Sequence, residues 1–482
     1  MKIKHMKNIP LKTKIKFGIV ALIYILTVIW IGNYWLLFGL PILFDIYITR
    51  IIPWSFWKKR KDGKKPPAWI EWIDALVFAL IAVYIINIFL FQNYKIPTSS
   101  MEKSLLVGDH LFVSKLSYGP RMPITPISFP LVQNTFPIIN TKSFTDWPKW
   151  DYRRIRGIRS IKHDDIVVFN FPAGDTVPFY RPNPDYYTAI LEIGRRQLAQ
   201  QPSLLDDKSF DTEYEYRMFI NSLGRKIVHD NPREFGKVVH RPVDRRDNYV
   251  KRCVALPGDT FEIRSNVIFI NGVPQENAKN VQHNYHLITD GTLLSQRFFD
   301  RLEISGDDKR EAGYGPHYML PLTQQMAETV ISYGFVETLE LDEQKSDASG
   351  RQVFPYSKHY RWSRDNYGPL WMPKKGATIE LTSQNLLLYE RIITAYEGNT
   401  LELKNKTIFI NGKPTNSYTF QMDYYFMLGD NRHKSADSRH WGFVPEDHIV
   451  GRPLLTWLSL NKDKRFPANI RWNRFFKLAT KD

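Results

Sequence analysis

One cysteine, Cys253, stands in a chain of 482 residues. A single thiol has no partner within its own chain, so no internal disulfide holds this fold, and cysteine usage says nothing of the redox compartment. Metal-ligand spacing is also missing: no His/Cys/Glu group is set out as a metal site would require, so neither a metal nor a cofactor is expected. Acidic side chains are outnumbered, 49 against 66 lysines and arginines, which leaves a formal charge of +17. That surplus suits nucleic acid or an anionic membrane surface. A removable leader is not expected either. The basic start and short apolar run imitate one, but Gly32-Asn33-Tyr34-Trp35 follows in place of a small-x-small cleavage site.

What the chain does have is apolar runs near its start. Residues 1–16 form a basic N-terminus with Lys2, Lys4, Lys7, Lys12, Lys14 and Lys16. An apolar run covers Phe17 to Ile31, and a second, Trp35 to Ile52, is broken by Pro41 and Asp45. Residues 53–72 make a basic loop carrying Lys58-Lys59-Arg60-Lys61, Lys64 and Lys65, and a third run spans roughly Ala75 to Phe91. Lysine-rich flanks stay in the cytoplasm, so 17–52 reads as two crossings or a re-entrant hairpin. A final transmembrane helix within 73–92 then delivers the rest of the chain, 93–482, to the extracytoplasmic side. A span needs about 20 apolar residues, a length the third run meets most clearly.

Beyond residue 93 the pattern changes to short β-type runs separated by Gly, Pro and Asn. Leu111-Phe112-Val113 and Ile166-Val167-Val168-Phe169 read as buried strands. An internal echo is present. Gly258-Asp259-Thr260 leads to Ile268-Phe269-Ile270-Asn271-Gly272, and Gly398-Asn399-Thr400 leads to Ile408-Phe409-Ile410-Asn411-Gly412. Each copy predicts a strand, a turn and a second strand ending at Asn-Gly, a strong turn signal. Two stretches read as insertions, about 176–246 and 275–397. Helical patterns mark them near Tyr186–Leu198, Glu213–Leu223 and Gln324–Tyr333, the last entered from Thr323 as a cap. The tail, Ile470 to Lys477, interleaves basic and aromatic residues. Single-stranded nucleic acid tolerates that pattern, and a membrane interface does too; after an apolar anchor the interface is the better fit, and no nucleic-acid partner is expected.

The stretch Ile96-Pro97-Thr98-Ser99-Ser100-Met101 sets a cluster of hydroxyls where a chain leaving a membrane meets water. A serine hydroxyl is a poor nucleophile until a base takes its proton. The candidate base is Lys251, and Ser435 is a candidate to hold it. The segments that carry these residues resemble the bacterial type I signal peptidases, membrane-bound serine–lysine proteases. The likeness lies in Ile96 to Val113 (IPTSSMEKSLLVGDHLFV), Asp165 to Pro172 (DIVVFNFP), Tyr249 to Asp259 (YVKRCVALPGD) and Leu428 to Gly451 (LGDNRHKSADSRHWGFVPEDHIVG). One departure is clear: Lys103-Ser104 stands where the family usually has Pro-Thr.

The resemblance implies a mainly β fold, an antiparallel-sheet catalytic domain with α-containing insertions behind N-terminal transmembrane helices. It implies Ser100 as nucleophile and Lys251 as general base, with the Ser435 hydroxyl orienting the lysine and Asp437 with Arg439 as a supporting pair. Phe169, Tyr249 and Met427 would shield the ammonium, for burial is what lowers a lysine pKa from about 10.4 toward neutrality. Thr98 and the Ser100 N–H would form the oxyanion hole, and Ile96 and Val250 would line the substrate pocket. The implied partners are signal peptides of exported preproteins, bound as an added strand and cut after small-x-small motifs, together with the lipid bilayer and its anionic lipids. An exposed apolar patch near Leu105 and Leu106 is expected to rest in the outer leaflet.

Two other readings stay open on the residues alone. His440, beside Arg439, could pair with Asp437 and Ser100 in a Ser–His–Asp arrangement. The chain could instead be a membrane-anchored scaffold that uses its positive charge to bind anionic lipid or nucleic acid. Cys253 reads as a small core filler, and Gly258-Asp259 and Gly429-Asp430 as turn makers.

Overall fold

The computed structural model describes residues 9–52, 54 and 67–479. Lys2, Lys4, Lys7 and the basic cluster at 58–65, on which the membrane orientation rests, lie outside the described residues.

Among the described residues two helices are long and apolar enough to cross a membrane, Leu11–Ile31 and Ala68–Phe89. The first closes on Gly32 in the left-handed conformation, with φ +68°, which glycine adopts without a Cβ penalty. The broken second run is a mixed helix. A 3-10 segment Tyr34–Gly39 passes into an α-helical turn at Leu40–Phe44 and a π-helical one at Asp45–Thr49. Pro41 sits at the start of its turn, where a missing N–H removes no helical bond. The Asp45 carboxylate accepts the N–H groups of Ile51 and Ile52. The third run begins and ends earlier than its apolar stretch suggests, because Phe91 already opens a strand, Phe91–Lys95.

That strand starts an eight-stranded sheet. Its path runs through Phe91–Lys95, Asp109–Ser114, Ile449–Ser459, Ile166–Asn170, Asn248–Ala255, Tyr424–Leu428 and Val444–Pro445, every neighbouring pair antiparallel. The fold is therefore mainly β and antiparallel. All of Ile166–Asn170 is buried, which is why it reads as a continuous apolar run in place of an alternating one. One face of the sheet packs Ile96, Met101, Leu111 and Val168. The other packs Phe169, Cys253, Met427 and Trp441, with Tyr249 against them.

The echoed segments fold alike. Thr260–Arg264 pairs with Val267–Ile270, and Leu401–Lys404 with Thr407–Ile410, in matching register. Asn271 and Gly272, like Asn411 and Gly412, all have positive φ, the signature of a type I′ turn. Even the side-chain bonds repeat: Asn271 Oδ1 accepts from Thr260 N, and Asn411 Oδ1 from Thr400 N.

The first expected insertion contains the helices Tyr186–Gln200 and Glu213–Asp230. Thr212 and Glu215 form a reciprocal capping box at the start of the second. The helices meet at Gly194 and Gly224, where a Cβ would fall 2.1 Å from the Ile220 carbonyl oxygen and 1.8 Å from that of Ile190. The second insertion has a three-stranded sheet of its own, His317–Thr323, Gln282–Thr289 and Val336–Leu341. Its helix Gln324–Ile331 is capped by the Thr323 hydroxyl, which accepts from Met326 N. This insertion is shorter than its expected end near 397. Tyr367–Trp371 already returns to pair with Thr260–Arg264, and Leu386, Leu387 and Ile392 are core residues beside Phe261 and Phe426.

Candidate active site

Ser100 lies in a tight turn. Glu102 N donates to Ser99 O (3.0 Å) and Leu105 N to Met101 O (2.7 Å). Met101 and Leu105 anchor that turn in the apolar core with Leu111 and Val168. Leu105 is thus 1 % exposed, which corrects the expectation that it forms an outward apolar patch: its side chain is what pins the turn. Asn431 fixes the other side. Its N–H donates to Ser100 O (3.1 Å) and its Nδ2 to Ser99 O (3.3 Å).

Lys251 reaches this turn from the strand Asn248–Ala255. Strand alternation sets Tyr249, Lys251 and Cys253 on one face; there Phe169 lies opposite Tyr249, Val167 opposite Lys251 and Met427 opposite Cys253. Lys251 Nζ donates to Ser100 Oγ over 2.5 Å and to Val250 O over 3.1 Å. It lies 5.8 Å from the centre of the Tyr249 ring. Burial is the largest influence on this ammonium and lowers its pKa to about 8, with Arg439 assisting and Asp437 and Asp430 opposing.

Asp437 and Arg439 form an ion pair, with the carboxylate accepting from Nε (2.9 Å) and from the far guanidinium nitrogen (2.8 Å). Burial works to raise the Asp437 pKa, but the guanidinium and its hydrogen bonds outweigh it and hold the group at about 2. Asp437 Oδ2 also accepts Gly429 N (3.2 Å), so the pair steers the backbone that runs past Ser100.

One expected contact, from Ser435 to Lys251, is not made. Ser435 Oγ is buried and makes no hydrogen bond; the hydrogen bonds of the Lys251 ammonium go to Ser100 and to the Val250 carbonyl. Ser435 is nonetheless close by, since a Cβ on Gly429 would sit 2.2 Å from Ser435 Oγ and 2.6 Å from Ser100 O. Thr98 Oγ1 lies 3.5 Å from Ser100 Oγ, at the outer limit of hydrogen bonding. No hydrogen bond joins the His440 ring to Ser100 among the described residues, and burial depresses its pKa.

Ser100 and Lys251 open into a cleft of about 480 Å³ whose wall also includes Ile96, Thr98, Tyr249 and Val250. The small residues Ala173 and Gly174 line it as well.

Several neighbours escaped the sequence reading. Asp430, read as a turn maker, accepts from Arg252 through Nε (2.8 Å) and a terminal nitrogen (2.7 Å), and both side chains are almost wholly buried. Ser104, part of the departure from Pro-Thr, donates to Asp430 Oδ2 (2.6 Å). Lys103, in the left-handed conformation at φ +69°, donates to Leu302 O and Glu303 O, each at 2.8 Å. Lys434 donates to Asp308 Oδ1 (2.6 Å) and Glu311 Oε2 (2.7 Å). His433 Nε2 lies 2.9 Å from Asp365 Oδ1. The second insertion is therefore tied to both the Ser100 turn and the segment that carries Ser435. The only hint in the sequence was the presence of polar residues where the family has Pro-Thr.

Fold and site together define a peptidase-like β domain behind apolar helices, and comparison with known proteins gives its class. The family model for signal peptidase, peptidase S26, matches residues 69–186, 188–314 and 418–458. The chain belongs to that family. Signal peptidase I of Buchnera aphidicola subsp. Baizongia pistaciae is 22 % identical over 428 residues, 88 % of this chain and 87 % of that protein. The corresponding protein of subsp. Acyrthosiphon pisum is 22 % identical over 419 residues, 86 % of this chain and 84 % of its own. Signal peptidase I of Haemophilus influenzae is 36 % identical over 100 residues, 20 % of this chain and 28 % of that protein.

Proposed function

We propose that this peptidase removes signal peptides from exported preproteins by serine–lysine chemistry, with Ser100 as nucleophile and Lys251 as general base. Membership of the signal peptidase family makes it a membrane-associated peptidase of signal-peptide-bearing substrates. The observation that carries the finer assignment is the 2.5 Å contact between Lys251 Nζ and Ser100 Oγ, made by a lysine whose burial lowers its pKa to about 8. A lysine so depressed has a sizeable neutral fraction near neutral pH and can accept the serine proton.

In this scheme the substrate lies extended in the cleft, small side chains turned toward Ile96 and Val250. Ser100 Oγ attacks the scissile carbonyl carbon while Lys251 takes the hydroxyl proton. The tetrahedral oxyanion is met by the Ser100 N–H, to which no intramolecular acceptor is bonded among the described residues, and by the Thr98 hydroxyl. Losing one such donor typically lowers the rate about 10²–10³-fold. Lys251 returns the proton to the leaving amine, the C–N bond breaks, and water hydrolyses the acyl-serine ester. Ser435 is assigned to orient Lys251 when substrate closes the cleft, a role its unbonded hydroxyl leaves it available to take.

The topology follows the same reading. Both helices long enough to span end beside the catalytic domain: Arg153 donates to Ile31 O and Gly32 O, and Tyr84 donates to Pro126 O. The mixed helix Tyr34–Thr49 would span only about 24 Å, short of the roughly 30 Å hydrocarbon core, and so re-enters or crosses at a thinned site. Catalysis is placed on the extracytoplasmic face.

Cleavage of a preprotein with an Ala-x-Ala site tests the reading, using wild type, Ser100→Ala, Lys251→Ala and His440→Ala, each shown to be folded. Wild type and His440→Ala should cut, and the other two should not. Cleavage by folded Lys251→Ala would remove the proposed base.

A further inference from the structure

The catalytic cleft is not the largest opening in the molecule. A cavity of about 680 Å³ lies where the helix Ala68–Phe89 and the strand Phe91–Lys95 meet the catalytic domain. Part of its lining is apolar, with Val83, Ile86 and Phe91 from the helix side and Phe129 and Leu131 from the catalytic domain. Phe129 and Leu131 are 49 % and 78 % exposed, and Ile127, Ile138 and Ile139 extend the same exposed apolar segment. Pro126, just before that segment, accepts from Tyr84 near the end of the helix Ala68–Phe89, and Arg153 of the same domain donates to Ile31 O at the end of the helix Leu11–Ile31, so the cavity opens at the level of the bilayer surface.

Another part is cationic, formed by Lys115, Arg121 and Arg245, with Asp244 the one carboxylate on the lining. Asp244 is already engaged by Thr125, accepting from its N–H (2.9 Å) and its hydroxyl (3.0 Å). Arg121 donates to Asn170 Oδ1 and to the Asp447 carbonyl, and Arg245 to Thr125 Oγ1 and O, all uncharged acceptors; Asp244 reaches Arg245 at 4.0 Å, the edge of ion-pair range, and is one carboxylate against three cations. The Lys115 backbone N–H donates to Leu90 O, but its ammonium makes no hydrogen bond or ion pair with a described residue. Burial and the neighbouring arginines lower its pKa to about 7, a desolvation cost that an anion beside it would offset. The apolar core of a signal peptide would match the apolar part but offers no anion to these three cations.

We propose that this cavity binds one anionic phospholipid, its phosphate held by Lys115, Arg121 and Arg245 and an acyl chain lying along Val83, Ile86 and Phe91. Tyr94 and Asn248 line both this cavity and the catalytic cleft, so the bound lipid would buttress the strand that runs into Ile96 and the Ser100 turn. The inference concerns lipid binding and stands apart from the catalytic assignment.

The test is native mass spectrometry of the full chain in detergent, titrated with dioleoyl phosphatidylglycerol or dioleoyl phosphatidylcholine. One phosphatidylglycerol should bind per chain in preference to phosphatidylcholine. Lys115→Met and Arg245→Gln should each cut that preference about fivefold. Val83→Trp, which fills the apolar end and leaves every charge in place, should reduce phosphatidylglycerol occupancy. Millimolar inorganic phosphate should not displace the lipid. Equal binding of the two lipids by wild type would overturn the proposal, and so would an unchanged preference in charge variants with an unaltered melting transition. Should those variants not fold, unchanged phosphatidylglycerol occupancy in Val83→Trp would overturn it alone. Displacement by inorganic phosphate would assign the cationic part to a soluble anion and sink the lipid claim.

Discussion

Gly429 N–H donates to Asp437 Oδ2 across 3.2 Å, and this bond holds a residue without a side chain between Ser100 and Ser435. The space there admits nothing larger: an added Cβ would lie 2.2 Å from one partner and 2.6 Å from the other. Gly429→Ala is therefore expected to push the Ser100 turn away from Lys251. A displacement near 1 Å at a reacting centre lowers rate by roughly 10²-fold. Preprotein cleavage rates, compared with the melting transition of the same samples, check this; the loss of rate should far exceed the loss of stability.

The Arg252–Asp430 pair makes a contrasting prediction. Both side chains are buried and joined by two hydrogen bonds, and removing one partner of such a pair strands the other charge. Asp430→Ala should destabilise the domain by roughly 3–5 kcal/mol, seen as an earlier unfolding midpoint in denaturant, and activity should fall with the folded fraction. Retention of the wild-type midpoint would show that the pair contributes little.

Ser435→Ala separates a catalytic from a structural role. Its hydroxyl is buried without a partner, a situation that costs free energy, so the substitution should leave the melting transition unchanged or slightly higher. If Ser435 hydrogen-bonds Lys251 in the working complex, kcat/KM should fall roughly 10–100-fold, the value of a bond to a charged or ionisable group. Unchanged kcat/KM would leave the lysine held by Val250 O and Ser100 alone.

How far these features could be read in the sequence depended on the range over which each is determined. Ile166–Phe169 could be read as a strand because burial on both faces leaves an unbroken apolar run. The paired meanders could be read because Asn-Gly dictates its own turn, and the helix after Thr323 because a cap is a local signal. Leu105 could not: a leucine after a turn looks the same whether it points into the core or toward lipid, and only packing against Leu111 and Val168 decides. The Arg252–Asp430 pair joins residues far apart in the chain, each with an ordinary local explanation. The end of the second insertion was hidden for the same reason, since Tyr367–Trp371 is defined by a partner strand a hundred residues earlier. In the tail, Arg474 looked like one more interfacial cation, yet its guanidinium is buried against Asp109, while Trp472 and Phe476 are exposed.

The most direct test of the central claim is the pH dependence of Ser100 acylation by a β-lactam-type reagent, followed by intact mass. As the proposed base, Lys251 would act only when neutral, and its pKa is lowered to about 8, so the proposed active fraction grows as pH rises through that value. The account predicts a single adduct on Ser100, a rate that climbs with a midpoint near pH 8, and no adduct in folded Lys251→Met. An adduct that forms at the wild-type rate in Lys251→Met, or that disappears in His440→Ala instead, would contradict it.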